Sequence, residues 1–275
     1  MNVLTIGNSF TWSLQRYFPD VVQAAGEKLK IRFANFGGCE LERHWSYIHA
    51  EMADPMCKIY DGGNRLCDML ESCDWDFVTI QQASHMSWRP ESFEPFAGNI
   101  INYVRKFAPK AEIMIQQTWA YRADSPRLQP EEWNITQQEM HDRLTENYLA
   151  LSERHGLRVI PTGLAVALSR RETPVKYQGY DRAILETLHW PDLPPQAGDV
   201  VGQMGWRKDP ETGKMKLWGD HIHLNLRGDY MQACLWFAVL YNRKATEVTF
   251  VPDDIADEDA AFLREMAERA RLEWK

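Results

Sequence analysis

Two rhythms of apolar and polar positions alternate along this chain. Short β-rich runs occupy Asn2–Ile6, Lys30–Asn35, Phe77–Gln81, Glu112–Gln116 and Arg158–Pro161. Between them lie stretches of helical period at Leu14–Leu29, Leu41–Ala53, Phe93–Phe107 and Glu131–Arg154. In the last, Ile135, Met140, Leu144, Tyr148 and Leu151 recur near 3.6 residues. Strand and helix in regular alternation predict an α/β fold, a doubly wound parallel sheet of about five strands with helices on both faces. Pro109-Lys110-Ala111 breaks one helix before its strand, and Gly156 stands where a helix C-cap belongs.

The rhythm fails over residues 172–219, which are rich in Pro, Gly and Trp. Trp206-Arg207-Lys208 and Lys214-Met215-Lys216 flank Asp209-Pro210-Glu211-Thr212-Gly213 and predict a small hairpin. A segment this long and this aromatic is expected to be an insertion that forms a lid or substrate wall. A helix at Asn225–Tyr241, an acidic segment and a closing amphipathic helix at Asp257–Trp274 follow. No repeat or linker divides the chain, so residues 1–275 are expected to form a single domain, with 245–275 as a C-terminal extension.

Composition narrows the function. Hydrophobic residues make up 44% and charged residues 25%, values of a globular chain with a core. Lys+Arg number 31 against 39 Asp+Glu, a net charge of -8, which argues against nucleic acid as a partner. No apolar run approaches the length of a membrane helix, so a soluble chain is expected. Five cysteines without C-x-x-C spacing signal reduced structural thiols, neither a disulfide framework nor a zinc ribbon. The start runs directly into Val3-Leu4-Thr5-Ile6 with no signal peptide; a removed leader would leave the same start, so the expected compartment is cytoplasmic, periplasmic or secreted.

Chemistry concentrates at two ends of the chain. Gly7-Asn8-Ser9-Phe10-Thr11 falls where the first strand ends, the edge at which open α/β sheets present ligands. Ser9 there is a candidate nucleophile, near helix N–H groups that favour negative charge; the same residues also suit a plain helix N-cap. Near the other end, Asp220 and His223 form an Asp-x-x-His pair. A serine needs a base to take its proton, and the base needs a carboxylate to orient it. One tight loop is expected to carry both partners, with His221 the competitor for the base role.

Together these blocks resemble the SGNH/GDSL hydrolase superfamily, in order along nearly the whole chain, from Ile6 to about Ala238. The likeness is to a bacterial branch that opens Gly-Asn-Ser-Phe where the superfamily usually has Gly-Asp-Ser, and that ends Asp-x-x-His-Leu-Asn. The resemblance implies a three-layer, flavodoxin-like fold and an esterase with Ser9 as nucleophile, Asp220 and His223 completing the triad, and no cofactor. It also implies an oxyanion hole from the N–H groups of Ser9 and of a glycine in Asn35-Phe36-Gly37-Gly38-Cys39. Gly38 is favoured over Gly37 and Cys39. In the third block the chain departs: where the family shows Gly-x-Asn-Asp, it reads Ile80-Gln81-Gln82-Ala83-Ser84-His85. Either Gln82 or His85 is left to supply the last donor.

The substrate expected from this resemblance is a small or carbohydrate-borne ester. Trp12, Trp45, Trp88 and Trp119 fall in or beside the loops that would carry the site; their rings suit sugar faces or simply pack. Two other readings stand beside the esterase. One is a non-catalytic carbohydrate-binding protein on a degenerate hydrolase fold. The other is a metal-dependent hydrolase built on Asp220, His221 and His223 with His44, His49 or His85, although no H-E-x-x-H spacing supports it. His141, His155 and His189 are expected at the surface or at helix ends.

Overall fold

The five β-rich runs pair as one parallel sheet in the order β2-β1-β3-β4-β5. The computed structural model describes residues 1–60, 62–179 and 182–274. The strands are β1 (Asn2–Gly7), β2 (Lys30–Asn35), β3 (Phe77–Ile80), β4 (Glu112–Gln116) and β5 (Arg158–Ile160). β1 and β3 adjoin at the centre with Val3 opposite Phe77 and Ile6 opposite Ile80. Val3, Leu4, Ile6, Val78 and Ile80 are buried on both faces, as their near-continuous apolar runs require. Chain progression reverses between β1 and β3, so the crevice outside their carboxyl ends is a topological switch point.

Helices cover both faces. α1 (Ser9–Trp12) is a single turn leading into α2 (Leu14–Ala24); α3 (Leu41–Ala53) and α4 (Leu66–Glu71) precede α5 (Phe96–Phe107). Next come α6 (Gln137–His155), α7 (Thr162–Glu172), α8 (Arg182–Thr187), α9 (Leu226–Leu240) and α10 (Asp257–Glu273). α3, α4 and α5 pack together, while α2, α7 and α10 surround α9, which is almost wholly buried. α10 lies against α7 and α9, so the foreseen C-terminal extension covers part of the core.

Three helix boundaries differ from the sequence reading by more than one residue. α2 stops at Ala24 rather than Leu29 because Gly26 takes a left-handed φ of 73°. α5 begins at Phe96 rather than Phe93. α6 begins at Gln137 rather than Glu131, where Thr136 and Glu139 form a reciprocal capping box. α7 itself was unread. Its Gly163 is pressed so close to the Thr118 carbonyl that a Cβ would sit 2.2 Å from it.

Within residues 172–219 the described chain holds α8 and β6 (Val201–Lys208), while residues 180 and 181 lie outside the described residues. The foreseen hairpin is present and longer than expected: β6 pairs antiparallel with β7 (Met215–Leu224), which runs on through Asp220 and His223. The Asp-x-x-His pair therefore sits on a strand, not on a loop. Among the described residues no helix is long and apolar enough to cross a membrane, and all five cysteines are free.

Candidate active site

Asn8 caps the single turn of α1. Its Oδ1 accepts from the Phe10 N–H at 3.1 Å, which leaves Ser9 as the first helical residue, at the carboxyl end of β1. The other half of the carboxamide ties three segments together: Nδ2 donates to the carbonyls of Cys39 and Gln82, each at 3.3 Å. These carbonyls follow β2 and β3, so one buried side chain fixes both neighbouring loops beside Ser9. Gly7 is needed for the close fit, since a Cβ there would lie 2.9 Å from Thr11 Oγ1 and 3.1 Å from Gln81 Oε1. His44 donates from Nε2 to the Gly7 carbonyl at 2.9 Å, and Tyr60 lies 3.2 Å from its Nδ1. Burial pushes His44 down to about 4, so the ring is neutral.

The turn rests on a bed of amides. Phe10 O accepts from Gln116 Nε2 at 3.3 Å, Gln232 Nε2 at 3.2 Å and Ser13 Oγ at 2.9 Å. Phe10 itself stacks on Trp119, centroids 4.0 Å apart and planes within 10°, and presents its ring to the edge of His223 at 5.5 Å.

His223 reaches Ser9 because β7 bulges. Val201 pairs with Leu224 but Gln203 pairs with Asp220, so one residue of β6 faces three of β7. Residues 221–223 are thereby thrown out of the ladder, and four of their backbone groups find partners elsewhere. Asp220 Oδ1 accepts from the N–H groups of Ile222 at 2.8 Å and His223 at 2.9 Å. The carbonyl of His221 accepts from Arg122 N at 2.9 Å, and that of Ile222 from Trp119 Nε1 at 2.8 Å. In the resulting row Ser9 Oγ is 2.8 Å from His223 Nε2, and His223 Nδ1 is 2.7 Å from Asp220 Oδ2. Burial alone would raise the Asp220 carboxyl; the His223 ring and the two N–H donors outweigh it and hold the group well below the usual carboxylate range. Asp220 is therefore ionised whenever His223 is neutral, and it fixes the tautomer with Nδ1 protonated and Nε2 free to accept from Ser9.

The residues proposed around this row meet different fates. His221 turns away: its Nδ1 lies 3.3 Å from Asp124 Oδ2 and 3.2 Å from a nitrogen of buried Arg122. Burial raises Asp124, but His221 and Arg122 hold it far below the usual range. Gly38 adopts φ 59° in the turn after β2, and its N–H, like that of Ser9, has no acceptor among the described residues. The Cys39 N–H is taken by Phe36 O at 3.3 Å, and burial pushes its thiol up to about 12.

Gln82 does not fit the donor role foreseen for it. Its Nε2 donates to Ser92 O at 2.7 Å and Oγ at 3.1 Å, and its Oε1 accepts from Leu41 N at 3.0 Å and Ala83 N at 2.7 Å. The side chain is a buried structural tie. His85 stays half-exposed with Nε2 2.8 Å from Glu40 Oε1. A carboxylate only accepts, so that nitrogen carries a proton, and Nδ1 offers a second donor only in the imidazolium. The possible metal ligands are likewise spread: His44 is sealed under Gly7, His49 is exposed on α3, and among the described residues no three His, Cys, Asp or Glu groups converge on a metal-sized site. His155 ends α6 and pairs with Glu94 at 2.6 Å. His189 is exposed and His141 half-buried.

Sequence reasoning missed Asn8 as the tie between loops and Trp119 and Arg122 as the clamp on the bulge. Only the buried aromatic Trp119 carried a sequence signal, and it pointed to packing.

No functionally curated protein matches this sequence. Among solved structures, a DUF4886 family protein from Bacteroides uniformis aligns over 99% of this chain and 95% of its own, at 24% identity and TM-score 0.77. A protein from Slackia heliotrinireducens described as "a putative SGNH hydrolase" aligns over 85% and 95%, at 20% identity and TM-score 0.50. These likenesses establish the three-layer α/β fold of the SGNH hydrolases. Residues 2–182 match the family described as "Domain of unknown function (DUF4886)", a stretch that holds Ser9 and ends before Asp220 and His223. That match spans well over half the sequence, and the chain belongs to the DUF4886 family.

Proposed function

We propose that this protein is a serine esterase that hydrolyses a small or carbohydrate-borne ester through an acyl-enzyme. The observation that carries the reading is the hydrogen-bonded row from Ser9 Oγ through His223 to Asp220. Ser9 Oγ attacks the ester carbonyl as His223 Nε2 takes its proton, and Asp220 steadies the imidazolium that forms. The tetrahedral oxyanion is held by the N–H groups of Ser9 and Gly38, with His85 joining in its protonated form. Collapse breaks the bond to the alcohol, which leaves with the proton from His223. Water then attacks the acyl-Ser9 ester with the same base, and the carboxylic acid departs.

The test is hydrolysis of p-nitrophenyl acetate by the whole chain. Ser9→Ala is expected to lower kcat by about a thousandfold or more, and a fluorophosphonate probe to label Ser9. Full turnover by the Ser9→Ala protein, or labelling at another residue, overturns the reading.

A further inference from the structure

Behind the bulge that carries His223 lies a second charged cluster that the proposed reaction does not use. Arg122 follows β4 with its side chain only 1% exposed. Its guanidinium grips Asp124 twice, Nε to Oδ1 at 2.7 Å and Nη2 to Oδ2 at 3.0 Å. Nη2 also lies 3.2 Å from His221 Nδ1, while the Arg122 N–H holds the His221 carbonyl at 2.9 Å. Main chain and side chain of one residue thus both meet His221. That histidine sits in the chain between Asp220 and His223, so a shift of Arg122 is passed to both partners of Ser9.

The remaining walls of the cluster come from segment 172–219. Tyr177 lays its ring against the guanidinium, 4.7 Å from Cζ, and its hydroxyl donates to Asp124 Oδ2 at 2.9 Å. On β6, Gly202 closes another side: a Cβ there would fall 2.9 Å from Arg122 Nη1 and 2.8 Å from the Asp220 carbonyl oxygen. Burying a guanidinium with a carboxylate costs about as much as their attraction returns, so such a pair adds little stability over apolar side chains of the same volume. What it adds is direction. A planar fork of N–H donors holds carboxylate and ring at set angles, which a lysine ammonium does not.

We infer that Arg122 is a positioning residue for His223, and that Tyr177 makes segment 172–219 a strut of the triad rather than a lid over it. The effect on turnover rests on the esterase reading; the alignment of the row from Ser9 to Asp220 does not. Two full-length variants separate the parts of the cluster. Tyr177→Phe removes one hydroxyl and keeps the ring under Arg122; Arg122→Lys keeps the charge and removes the fork. Hydrolysis of p-nitrophenyl acetate is measured per Ser9 labelled by a fluorophosphonate at completion, so unfolded protein does not count. A strut acts on the transition states, so kcat and kcat/KM are expected to fall together, by about tenfold in Tyr177→Phe and about a hundredfold in Arg122→Lys, at unchanged KM. A lid or substrate wall would raise KM and leave kcat.

The second readout is the downfield proton resonance of the bond between His223 Nδ1 and Asp220 Oδ2, which needs no turnover. It is expected to move in both variants and to stay in place in Val104→Ala, a cavity in the distant core on α5 that lowers the urea midpoint without touching the cluster. Raised KM at wild-type kcat, or a resonance unmoved in both variants, overturns the positioning role. Loss in Arg122→Lys alone keeps that role and overturns the strut. Should Arg122→Lys not fold, Tyr177→Phe carries both readouts. A wild-type protein that cleaves no ester overturns the esterase reading, and the resonance then decides the inference by itself.

Discussion

Asn8 does what a carboxylate cannot: it donates to two carbonyls, those of Cys39 and Gln82, while accepting from Phe10 N. The superfamily that this chain resembles usually carries Asp in that place. Asn8→Asp would keep the acceptor and turn the donor into an oxygen facing two oxygens. Loss of about 1–3 kcal/mol is expected, read as a lower denaturation midpoint together with a fall in ester turnover; an unchanged midpoint would refute the tie. That Ser9, Asp220 and His223 meet in one hydrogen-bonded row was legible because the two blocks that carry them keep their residue types and order along the chain. Gln82 was misread because the direction of its carboxamide is set by Leu41 and Ser92, which no pattern within its own block reveals.

At the scale of elements, the bulge in β7 decides whether His223 meets Ser9. Trp119→Phe keeps a ring stacked on Phe10 and removes the N–H that holds the Ile222 carbonyl. About tenfold lower kcat is expected with a stability loss of roughly 1 kcal/mol, checked by kinetics beside urea unfolding; wild-type kcat would show that the clamp is idle. The sheet could be read because each strand is a solid apolar run. The first half of β6 and the bulge could not, because Gly202 and Gly205 interrupt the alternation and three residues oppose one. α7 escaped notice since its start, Thr162-Gly163, reads as a turn, and Gly163 is there for its closeness to the Thr118 carbonyl. The start of α6 was available in Thr136-x-x-Glu139 and was overlooked for the apolar period preceding it.

For the molecule as a whole, two buried groups pull stability in opposite directions over one pH range. Burial lowers His44 to about 4. Below its usual value of about 6.5 the unfolded chain gains a proton that the folded one refuses, so stability is lost as pH falls. Asp229 is the reverse: burial raises it to about 7 against the attraction of Arg16, 2.9 Å away. Its contribution is full below the ordinary carboxylate value of about 3.9 and is lost as pH rises through about 7. Urea midpoints between about pH 4.5 and 7.5 should therefore vary little in the wild type. His44→Gln should leave a protein that gains stability toward acid, and Asp229→Asn one that loses it. Parallel curves for all three proteins would contradict both assignments.

Ser9 and His223 stand 214 residues apart in the chain. A nascent polypeptide thus carries an inert alcohol until its last strand and the long helix behind it have emerged and docked. On the proposed esterase reading, cleavage then serves as an assay of completed assembly, silent in every C-terminal truncation that stops short of β7 and switched on in one step when that strand closes over the sheet.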